Sequence, residues 1–306
     1  MRSLITGSSG FAGRFLHAHL SASGDDVIAW SRAAGSPDIT NREAVFAAMA
    51  TAEADVVYHL AAQSHVPTAW SDPITTLRIN IEGTQNILDA AKAANAPRVI
   101  VISSAEVYGS VQPEQLPITE DAPQRPSNPY AASKASADAL ALAAHLGGGL
   151  DVIRMRPFNH FGPGQAPSFV SSSFARRIAL AARDGKPSID VGSLDVRRDF
   201  CDVRDVVKAY RMAAIYGEAG QAYNVCSGVD RSIRAIAEAF VARSGADISF
   251  VPSPVLQRPV DTPVVRGSFD RLSDQTGWKP EISFDKSIDD IYSDAVANLE
   301  AKPTNQ

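Results

Sequence analysis

The sequence has only two cysteines, Cys201 and Cys226, among its 306 residues. Two cysteines are too few for a disulfide framework and lack the paired spacing of a zinc site, so we expect both to be packing residues in a reducing, cytoplasmic compartment. No grouping of histidines, cysteines and carboxylates in the sequence predicts a metal site. His59, inside an apolar run, is expected to be a satisfied core residue.

Charge of one sign is not in large excess either. Lys and Arg total 29 against 34 Asp and Glu, which gives a net charge of -5, and there is no run of basic residues. This balance argues against nucleic acid or an anionic membrane as a partner, although it allows a local basic pocket for a phosphate.

Long hydrophobic runs are also missing. The first apolar stretch, Met1–Thr6, is followed at once by a glycine-rich turn, so neither a secretory signal peptide nor a membrane span is expected there. With 45% hydrophobic and 21% charged residues the composition is typical of a globular protein, and the length suits one large or two closely associated domains.

The sequence does contain an alternation of short β-like runs with longer helical patterns. The predicted strands are Arg2–Thr6, Val27–Trp30, Val56–Leu60, Val99–Ser103 and Leu150–Arg154. The predicted helices between them are Phe11–Ser23, Arg42–Ala50, Ile81–Ala94 and Tyr130–Ala144. Nearly continuous apolar strands joined by helices predict an α/β fold with a doubly wound parallel sheet covered on both faces. After Pro157, glycines and prolines interrupt shorter elements, which predicts a smaller α/β lobe.

Three glycines lie between the first strand and the first helix. In such a turn a pyrophosphate approaches backbone N–H groups at the positive end of the helix, and the third glycine lets the helix lie close to the sheet. We therefore predict a dinucleotide-binding turn made of Gly7, Ser9, Gly10, Phe11, Ala12 and Gly13. Residues 1–157 are assigned to a dinucleotide-binding domain of Rossmann type, with 202–215 returning to it, and 158–201 and 216–306 to a substrate-binding lobe.

The second predicted strand is followed by Ser31-Arg32, about 20 residues beyond the glycines, where an NAD enzyme usually offers Asp or Glu to the adenosine ribose. A hydroxyl and a guanidinium in that place remove repulsion against a 2′-phosphate and add a bidentate donor. The sequence therefore predicts NADP(H) as the preferred cofactor, with NAD(H) as the alternative if Arg32 is only a solvated loop residue.

Tyr130 and Lys134, four residues apart, open one of the predicted helices. Positions i and i+4 share a helix face, so Lys134 can place its ammonium near the Tyr130 phenol. A nearby positive charge favours the phenolate and moves the phenol from a pKa of about 10 toward a range useful for acid–base catalysis. Ser104, which follows a predicted strand, can donate a hydrogen bond to the oxygen being transformed. We predict these three residues to be catalytic, and Tyr130 and Lys134 to contact the cofactor as well.

Together these motifs resemble those of the extended short-chain dehydrogenase/reductase family, in its NAD-dependent epimerase/dehydratase branch, over essentially the whole chain. Further matching stretches are Val57–Gln63, Asn80–Thr84, Arg198–Phe200 and Arg258–Asp261. The resemblance implies a nicotinamide cofactor and a nucleotide-diphosphate sugar in the cleft between two lobes. It also implies a homodimer in which each subunit contributes two helices to a four-helix bundle.

The resemblance also implies further residues at both sites. On the cofactor side these are Asp38 and Ile39 at the adenine, together with Leu60, Ala61, Ala62 and Pro157. On the substrate side, Asn159 and Arg198 would hold the diphosphate, although an ion pair between the lobes is the alternative for Arg198. The other implied substrate residues are Ser104, Glu106, Val170 and Arg258, of which Arg258 would meet a phosphate or ribose. Glu106 lies where related dehydratases keep a catalytic glutamate.

Within this family, Arg156–Gln165 and Phe169–Val170 look most like the group that reduces GDP-4-keto-6-deoxymannose. This likeness implies NADPH-dependent reduction of the C4 ketone to GDP-D-rhamnose, with a GDP-sugar as the substrate. GDP-mannose 4,6-dehydratases share the Phe-Asn-His but continue it differently. A nucleotide-sugar 4,6-dehydratase or a 4-epimerase is the alternative, while Ser104, Tyr130 and Lys134 argue against a non-catalytic NADP-sensing protein.

Overall fold

The computed structural model describes residues 1–32, 35–256 and 262–301. Its strands are β1 (Arg2–Thr6), β2 (Asp26–Trp30), β3 (Val56–His59), β4 (Arg98–Ile102), β5 (Val152–Pro157), β6 (Asn159–Phe161), β7 (Ser188–Val191), β8 (Arg197–Asp202), β9 (Ala222–Val225), β10 (Asp230–Ser232), β11 (Ser249–Pro252) and β12 (Val264–Val265). Its α-helices are α1 (Phe11–Ala22), α2 (Arg42–Ala52), α3 (Val66–Ser71), α4 (Pro73–Leu77), α5 (Gly83–Ala93), α6 (Pro129–Leu146), α7 (Val170–Arg183), α8 (Val203–Tyr216), α9 (Ile233–Ser244), α10 (Asp270–Thr276) and α11 (Phe284–Glu300). A π-helical turn, Arg78–Glu82, joins α4 to α5.

Six parallel strands form the larger sheet, in the order β2-β1-β3-β4-β5-β9. Strands β3 and β5 are buried along their whole length, as expected for central strands covered by helices on both faces. The direction of winding reverses between β1 and β3, and ligands of such sheets bind outside the carboxyl ends of the strands at this point. The predicted doubly wound parallel sheet is confirmed.

Helices on the two faces of this sheet give it two cores. On one face α1 and α8 meet through side chains such as Leu16 and Tyr210. On the other face α2 and α5 bury Met49 and Ile87. Full burial of an aliphatic side chain of this size contributes about 1.5–3 kcal/mol to folding. Helix α8 therefore packs on the larger sheet, in the place proposed from the sequence for the returning segment 202–215.

The boundary between the lobes differs from the sequence prediction in one stretch. The sequence assigned 216–306 to the substrate lobe, but Ala222–Val225 pairs with β5 as the sixth strand of the larger sheet. Leu272 of α10 and the following Trp278 are buried in the core beside α8. The assignment is wrong for this part because a buried four-residue strand has no polar alternation that would show which sheet it joins.

The smaller lobe combines short strands with three helices. Strand β8 is central: it pairs in parallel with β6 and β12 and antiparallel with β10. Strands β7 and β11 form a separate parallel pair. Helices α7, α9 and α11 cover these strands through a core that includes Phe174, Phe240 and Ile288. Because β6 follows β5 after one residue, this lobe begins at the carboxyl end of the larger sheet.

Across the described ranges no helix combines the length and the apolar character that crossing a membrane requires. Cys201 and Cys226 are both buried free thiols. Burial raises the pKa of each thiol well above its usual value, so both are unreactive and serve as packing residues.

Candidate active site

The turn between β1 and α1 is so close-packed that side chains would not fit at two of its glycines. Gly7 has φ +73°, and a Cβ on it would lie 2.8 Å from backbone atoms of Ala61. A Cβ on Gly13 would lie 2.2 Å from the carbonyl oxygen of Gly7. Gly7 thus lets the turn contact the loop after β3, and Gly13 lets α1 begin against the turn.

The front of this turn opens toward the N-terminus of α1. Gly10 is the N-cap residue, and no side chain in the described part of the chain caps the helix. Ser9 and Gly10 are exposed, and a Cβ on Gly10 would have only the Gly7 carbonyl oxygen within 4 Å. The first N–H groups of α1 therefore face space that a phosphate can occupy, so the turn fits the pyrophosphate of a dinucleotide. Phe11 and Ala12 are half-buried behind it.

A buried chain of hydrogen bonds fixes the loop after β3. His59 Nδ1 lies 2.8 Å from Thr6 Oγ1, and His59 Nε2 lies 3.0 Å from Thr84 Oγ1. The Thr84 hydroxyl donates to a main-chain carbonyl, so it accepts from His59 Nε2–H, and His59 Nδ1 accepts from Thr6. Thr6 Oγ1 in turn accepts the N–H of Ala61 at 3.2 Å. His59 is thus a satisfied core residue, and it positions the predicted cofactor residues Leu60, Ala61 and Ala62.

Arg32 and Asp38 are both exposed on the segment that follows β2. Hydrogen bonds from the Thr40 N–H and hydroxyl lower the pKa of Asp38, and the nearby charge of Arg32 adds to this shift. The N–H of Ser31 donates to Ser36 Oγ at 3.1 Å, which holds the start of the segment. The Asp38 carboxylate is therefore close enough to Arg32, the residue assigned from the sequence to a 2′-phosphate, for the charge of Arg32 to act on it.

Ile39, predicted to reach the adenine with Asp38, is buried in the core beside α5. Asn86 Nδ2 donates to the Ile39 carbonyl oxygen at 2.9 Å, and the absence of a side chain on Gly83 makes room for the Ile39 side chain. Of this pair, only Asp38 therefore presents its side chain at the surface.

Tyr130 and Ser104 meet beyond the carboxyl end of β4. Ser104 caps a short 3-10 turn, and its Oγ accepts the Glu106 N–H at 3.2 Å. Burial raises the pKa of Tyr130 to about 12 and the charge of Glu106 acts in the same direction, while a hydrogen bond with Ser104 lowers it. The sequence predicted a shift toward the phenolate, which is wrong because burial dominates. Tyr130 is a protonated phenol at neutral pH, the form that can donate a proton.

Lys134 follows Tyr130 by one turn of α6 and is buried. Its Nζ donates a hydrogen bond to the carbonyl oxygen of Ile102, the last residue of β4. Burial lowers the pKa of Lys134 to about 8, and the carboxylate of Asp138, one turn further on, opposes this shift. The predicted i, i+4 spacing on one helix is present, but a strand carbonyl holds the ammonium, and burial rather than Lys134 decides the pKa of Tyr130.

Asp138 is the centre of a buried ion cluster that attaches α6 to β5. Its carboxylate accepts from Arg154 Nη1 at 2.9 Å and from Arg156 Nε and Nη2 at 2.9 and 3.0 Å. Burial alone would raise the pKa of Asp138, but Arg156 and Arg154 together hold it below its usual value. Removing one partner of such a pair costs about 3–5 kcal/mol, so the cluster fixes the helix that carries Tyr130 and Lys134.

Two residues that support the site were not predicted from the sequence, Asn80 and Ser133. Asn80 is buried in the π-helical turn; its Nδ2 donates to Ser133 Oγ at 2.8 Å, and its Oδ1 accepts the Gln63 N–H at 2.8 Å. Ser133 Oγ donates to the Tyr130 carbonyl oxygen at 2.7 Å. The loop after β3 is therefore tied to the first turn of α6. The sequence contains one indication of Asn80: it begins the stretch Asn80–Thr84, which matches the family motif but does not by itself show which residues Asn80 contacts.

Two of the residues predicted to bind substrate, Asn159 and Arg198, lie on the paired strands β6 and β8 of the smaller lobe. Asn159 is exposed on β6, where it pairs opposite Phe200 of β8, two residues from Arg198. Arg198 Nη1 donates to the carbonyl oxygen of Thr262 at 2.9 Å. Burial lowers the pKa of Arg198 and the carboxylate of Glu106 opposes this shift, so Glu106 is near both Arg198 and Tyr130.

The structure places two of the other predicted residues, Pro157 and Val170. Pro157 is the buried last residue of β5, and Val170 is the half-buried first residue of α7. Arg258 lies outside the described residues. Among residues 1–32, 35–256 and 262–301, no group of three metal-ligating side chains comes together.

Comparison with known proteins places this arrangement in a family. The profile of the NAD dependent epimerase/dehydratase family matches residues 3–226, well over half of the chain. The chain therefore belongs to the NAD dependent epimerase/dehydratase family, which confirms the resemblance found in the sequence.

Particular relatives are similar over nearly the whole chain. The GDP-6-deoxy-D-mannose reductase of Pseudomonas aeruginosa is 41% identical over 300 residues, which cover 96% of each chain. The structure of RMD from Pseudomonas aeruginosa complexed with NADPH has a TM-score of 0.89 at 40% identity and covers 97% of this chain and 99% of that one. The UDP-glucose 4-epimerase of Thermus thermophilus in complex with NAD has a TM-score of 0.84 at 28% identity, covering 96% and 99%.

Proposed function

We propose that this chain reduces the C4 ketone of GDP-4-keto-6-deoxy-D-mannose to GDP-D-rhamnose (GDP-6-deoxy-D-mannose), with NADPH as the reductant. The observation that carries the proposal is the match, over 96% of both chains, to a GDP-6-deoxy-D-mannose reductase. A protonated Tyr130 beside Ser104 supports it, because reducing a ketone requires a hydride and a proton and the phenol holds the proton.

NADPH, when bound, would supply the hydride that C4 accepts. The Tyr130 phenol donates its proton to the oxygen that becomes the new hydroxyl group, and its raised pKa keeps that proton in place at neutral pH. Ser104 donates a hydrogen bond to the same oxygen and so holds it in front of the phenol. Lys134, whose ammonium is held at the carbonyl oxygen of Ile102, is proposed to bind the nicotinamide ribose.

The turn at the start of α1 is the proposed pyrophosphate site, and Ser31 and Arg32 are the proposed partners of the 2′-phosphate. The remaining residues proposed to contact the cofactor are Asp38, Leu60, Ala61, Ala62 and Pro157. Ile39 is proposed to contribute only its main chain, because its side chain is buried in the core. The residues proposed to bind the GDP-sugar are Ser104, Glu106, Asn159, Val170, Arg198 and Arg258. NAD(H) is expected to bind in the same place more weakly, because it lacks the phosphate that Arg32 would contact.

The experiment that tests the proposal separates a reductase from a 4,6-dehydratase. A dehydratase also needs a base at C5 and an acid at C6, and of the adjacent residues Ala105 and Glu106 only Glu106 can transfer a proton. We expect stoichiometric NADPH oxidation with GDP-4-keto-6-deoxy-D-mannose and little 4-keto product from GDP-mannose with catalytic NADP⁺. A dehydratase rate equal to or above the rate of ketone reduction would assign the chain to the other subfamily.

We also propose that the chain is a cytoplasmic homodimer joined by a four-helix bundle. Large apolar side chains are exposed on α3, α4 and α6: Trp70 at 64%, Ile74 at 72% and Leu146 at 74%. Burying them against a second copy would remove this apolar surface from water. Two free cysteines in the described chain agree with a reducing compartment. Light scattering of the wild type and of a Trp70→Glu/Ile74→Glu variant tests the interface: a dimer and a monomer are expected, and two equal masses would contradict it.

A further inference from the structure

We infer that Asn128 is a positioning residue for this reaction: one amide caps the helix that carries Tyr130 and also fixes the carboxylate of Glu106 beside it. The inference rests on the proposed function, in which Glu106 contacts the sugar. It concerns a residue that lies between the two catalytic segments, immediately before α6.

The side-chain amide of Asn128 makes a hydrogen bond from each end. Its Oδ1 accepts the N–H of Ala131 at 2.8 Å, which makes Asn128 the N-cap of α6. Its Nδ2 donates to Glu106 Oε2 at 3.2 Å. Because only the oxygen can accept from the Ala131 N–H, the amino group must face Glu106, and the orientation of the amide is settled by the network.

Capping alone does not account for an asparagine at this position. Asp, Ser and Thr cap a helix about as well, since each offers an oxygen to the first N–H groups. The group that asparagine adds is the amino group, and here it is directed at the Glu106 carboxylate. The hydrogen bond to Glu106 therefore points to a second role for Asn128, which is to hold the Glu106 carboxylate.

Glu106 is a side chain that needs such a restraint. It is exposed, and its own backbone N–H is held by Ser104 Oγ, so Ser104 and Asn128 fix the two ends of the residue. The carboxylate is also close enough to Tyr130 and Arg198 for its charge to act on both. Asn128 thus sets the direction of Glu106 relative to Tyr130, which lies two residues further along the chain from Asn128.

The test uses variants that keep the cap and lose the donor. Asn128→Asp replaces the amino group by an oxygen that repels Glu106, and Asn128→Ser shortens the side chain. We expect both variants to keep the thermal stability of the wild type. We also expect wild-type affinities for GDP and NADPH, since neither ligand contains the hexose that Glu106 is proposed to contact. We expect kcat/KM for the 4-keto sugar to fall about 3- to 10-fold, a modest value because the hydrogen bond is exposed to water.

A double-mutant cycle with Glu106→Ala distinguishes positioning from a structural effect. If Asn128 acts through Glu106, Asn128→Ser lowers kcat/KM in the wild-type background and changes it less than 2-fold when Glu106 is already alanine. Independent effects that multiply, or a wild-type kcat/KM in Asn128→Ser and Asn128→Asp, would overturn the inference.

A second readout of the same cycle does not depend on turnover. On the NADPH-loaded protein, the ratio of the dissociation constants of GDP-mannose and GDP isolates the contribution of the sugar. We expect this ratio to show the same non-additivity between Asn128→Ser and Glu106→Ala. Wild-type protein that binds both ligands but does not reduce the ketone would refute the proposed function, whereas additive ratios would refute the role of Asn128.

Discussion

The ring of Phe11 and the imidazole of His160 stack in parallel, with an interplanar angle of 2° and centroids 5.9 Å apart. Phe11 begins α1 directly after the glycine turn, and His160 lies in β6. A second contact joins the same segments, because Arg14 Nη2 donates to the carbonyl oxygen of Gly164 at 2.9 Å. The proposed pyrophosphate turn and the proposed diphosphate side of the cleft are therefore built against each other.

Removing the His160 ring should weaken cofactor binding although His160 is not proposed to touch the cofactor. An aromatic pair contributes about 0.5–1.5 kcal/mol, so we expect His160→Ala to raise the dissociation constant of NADPH about 2- to 10-fold. Burial lowers the pKa of His160, so the ring is neutral and His160→Phe is the matched control. Fluorescence titration with NADPH measures both, and equal affinities of the two variants would show that the stack does not support the turn.

The exposed guanidinium of Arg32 should determine the preference for NADPH. A hydrogen bond to a charged group contributes about 1.5–3 kcal/mol, and Arg32→Ala is therefore expected to weaken NADPH binding about 10- to 150-fold and NADH binding much less. Asp38→Asn removes the neighbouring negative charge and should shift the preference further toward NADPH. Calorimetric titration with each coenzyme measures this, and equal losses for NADPH and NADH in Arg32→Ala would contradict the assignment.

Tyr130→Phe should remove turnover while leaving binding intact. The substitution deletes the proton donor with little change of volume, and general acid catalysis contributes about 10²- to 10⁴-fold. Tyr58→Phe is a matched control, because the buried Tyr58 hydroxyl has no hydrogen-bond partner in the described part of the structure. NADPH oxidation assays should show near wild-type rates for Tyr58→Phe only. Comparable rates in both variants would exclude Tyr130 as the acid.

Cofactor binding should depend on pH through Lys134. Because the pKa of Lys134 is lowered to about 8, the side chain is charged below that pH and neutral above it. The dissociation constant of NADPH is therefore expected to rise as the pH increases through about 8. In Lys134→Met this rise should be absent and the affinity lower throughout. An unchanged pH dependence in the variant would show that another group titrates.

Acid should destabilise the fold partly through His59. Burial lowers its pKa to about 3 in the folded chain, against about 6.5 when unfolded, so the unfolded state binds the extra proton between these values. The contribution of neutral His59 to the free energy of unfolding is therefore complete above about pH 6.5. It falls by up to about 1.4 kcal/mol per pH unit as the pH decreases below that value. Urea unfolding at several pH values between 7 and 4 measures this. The free energy of unfolding should decrease less steeply with falling pH in His59→Gln than in the wild type, and equal pH dependences would contradict the role of His59.

Much of the fold could be predicted from the sequence, because the local pattern of apolar residues and glycines determines where strands and helices lie. The strand Arg2–Thr6 was predicted to the residue, since a glycine turn ends it directly. The hydrogen-bond partner of Lys134 could not be predicted from the sequence. Helical spacing indicates on which face of α6 Lys134 lies, but the Ile102 carbonyl oxygen that accepts from its ammonium is 32 residues away in the chain. Asn128 was readable in principle, because an asparagine followed by Pro129 is typical of a helix start, and only its bond to Glu106 required the structure.

The sixth strand of the larger sheet has a consequence for how the chain folds as it is synthesised. Until Ala222–Val225 is available, the wholly buried strand β5 is an open edge whose backbone groups lack their partner. The larger sheet, although five of its six strands come from the beginning of the chain, thus lacks its last strand until the smaller lobe's first segment and α8 have been synthesised. We expect a nascent chain stopped after Pro157 to be prone to aggregation and dependent on chaperones. A chain stopped well beyond Val225 should be the first in which all six strands of the larger sheet are paired.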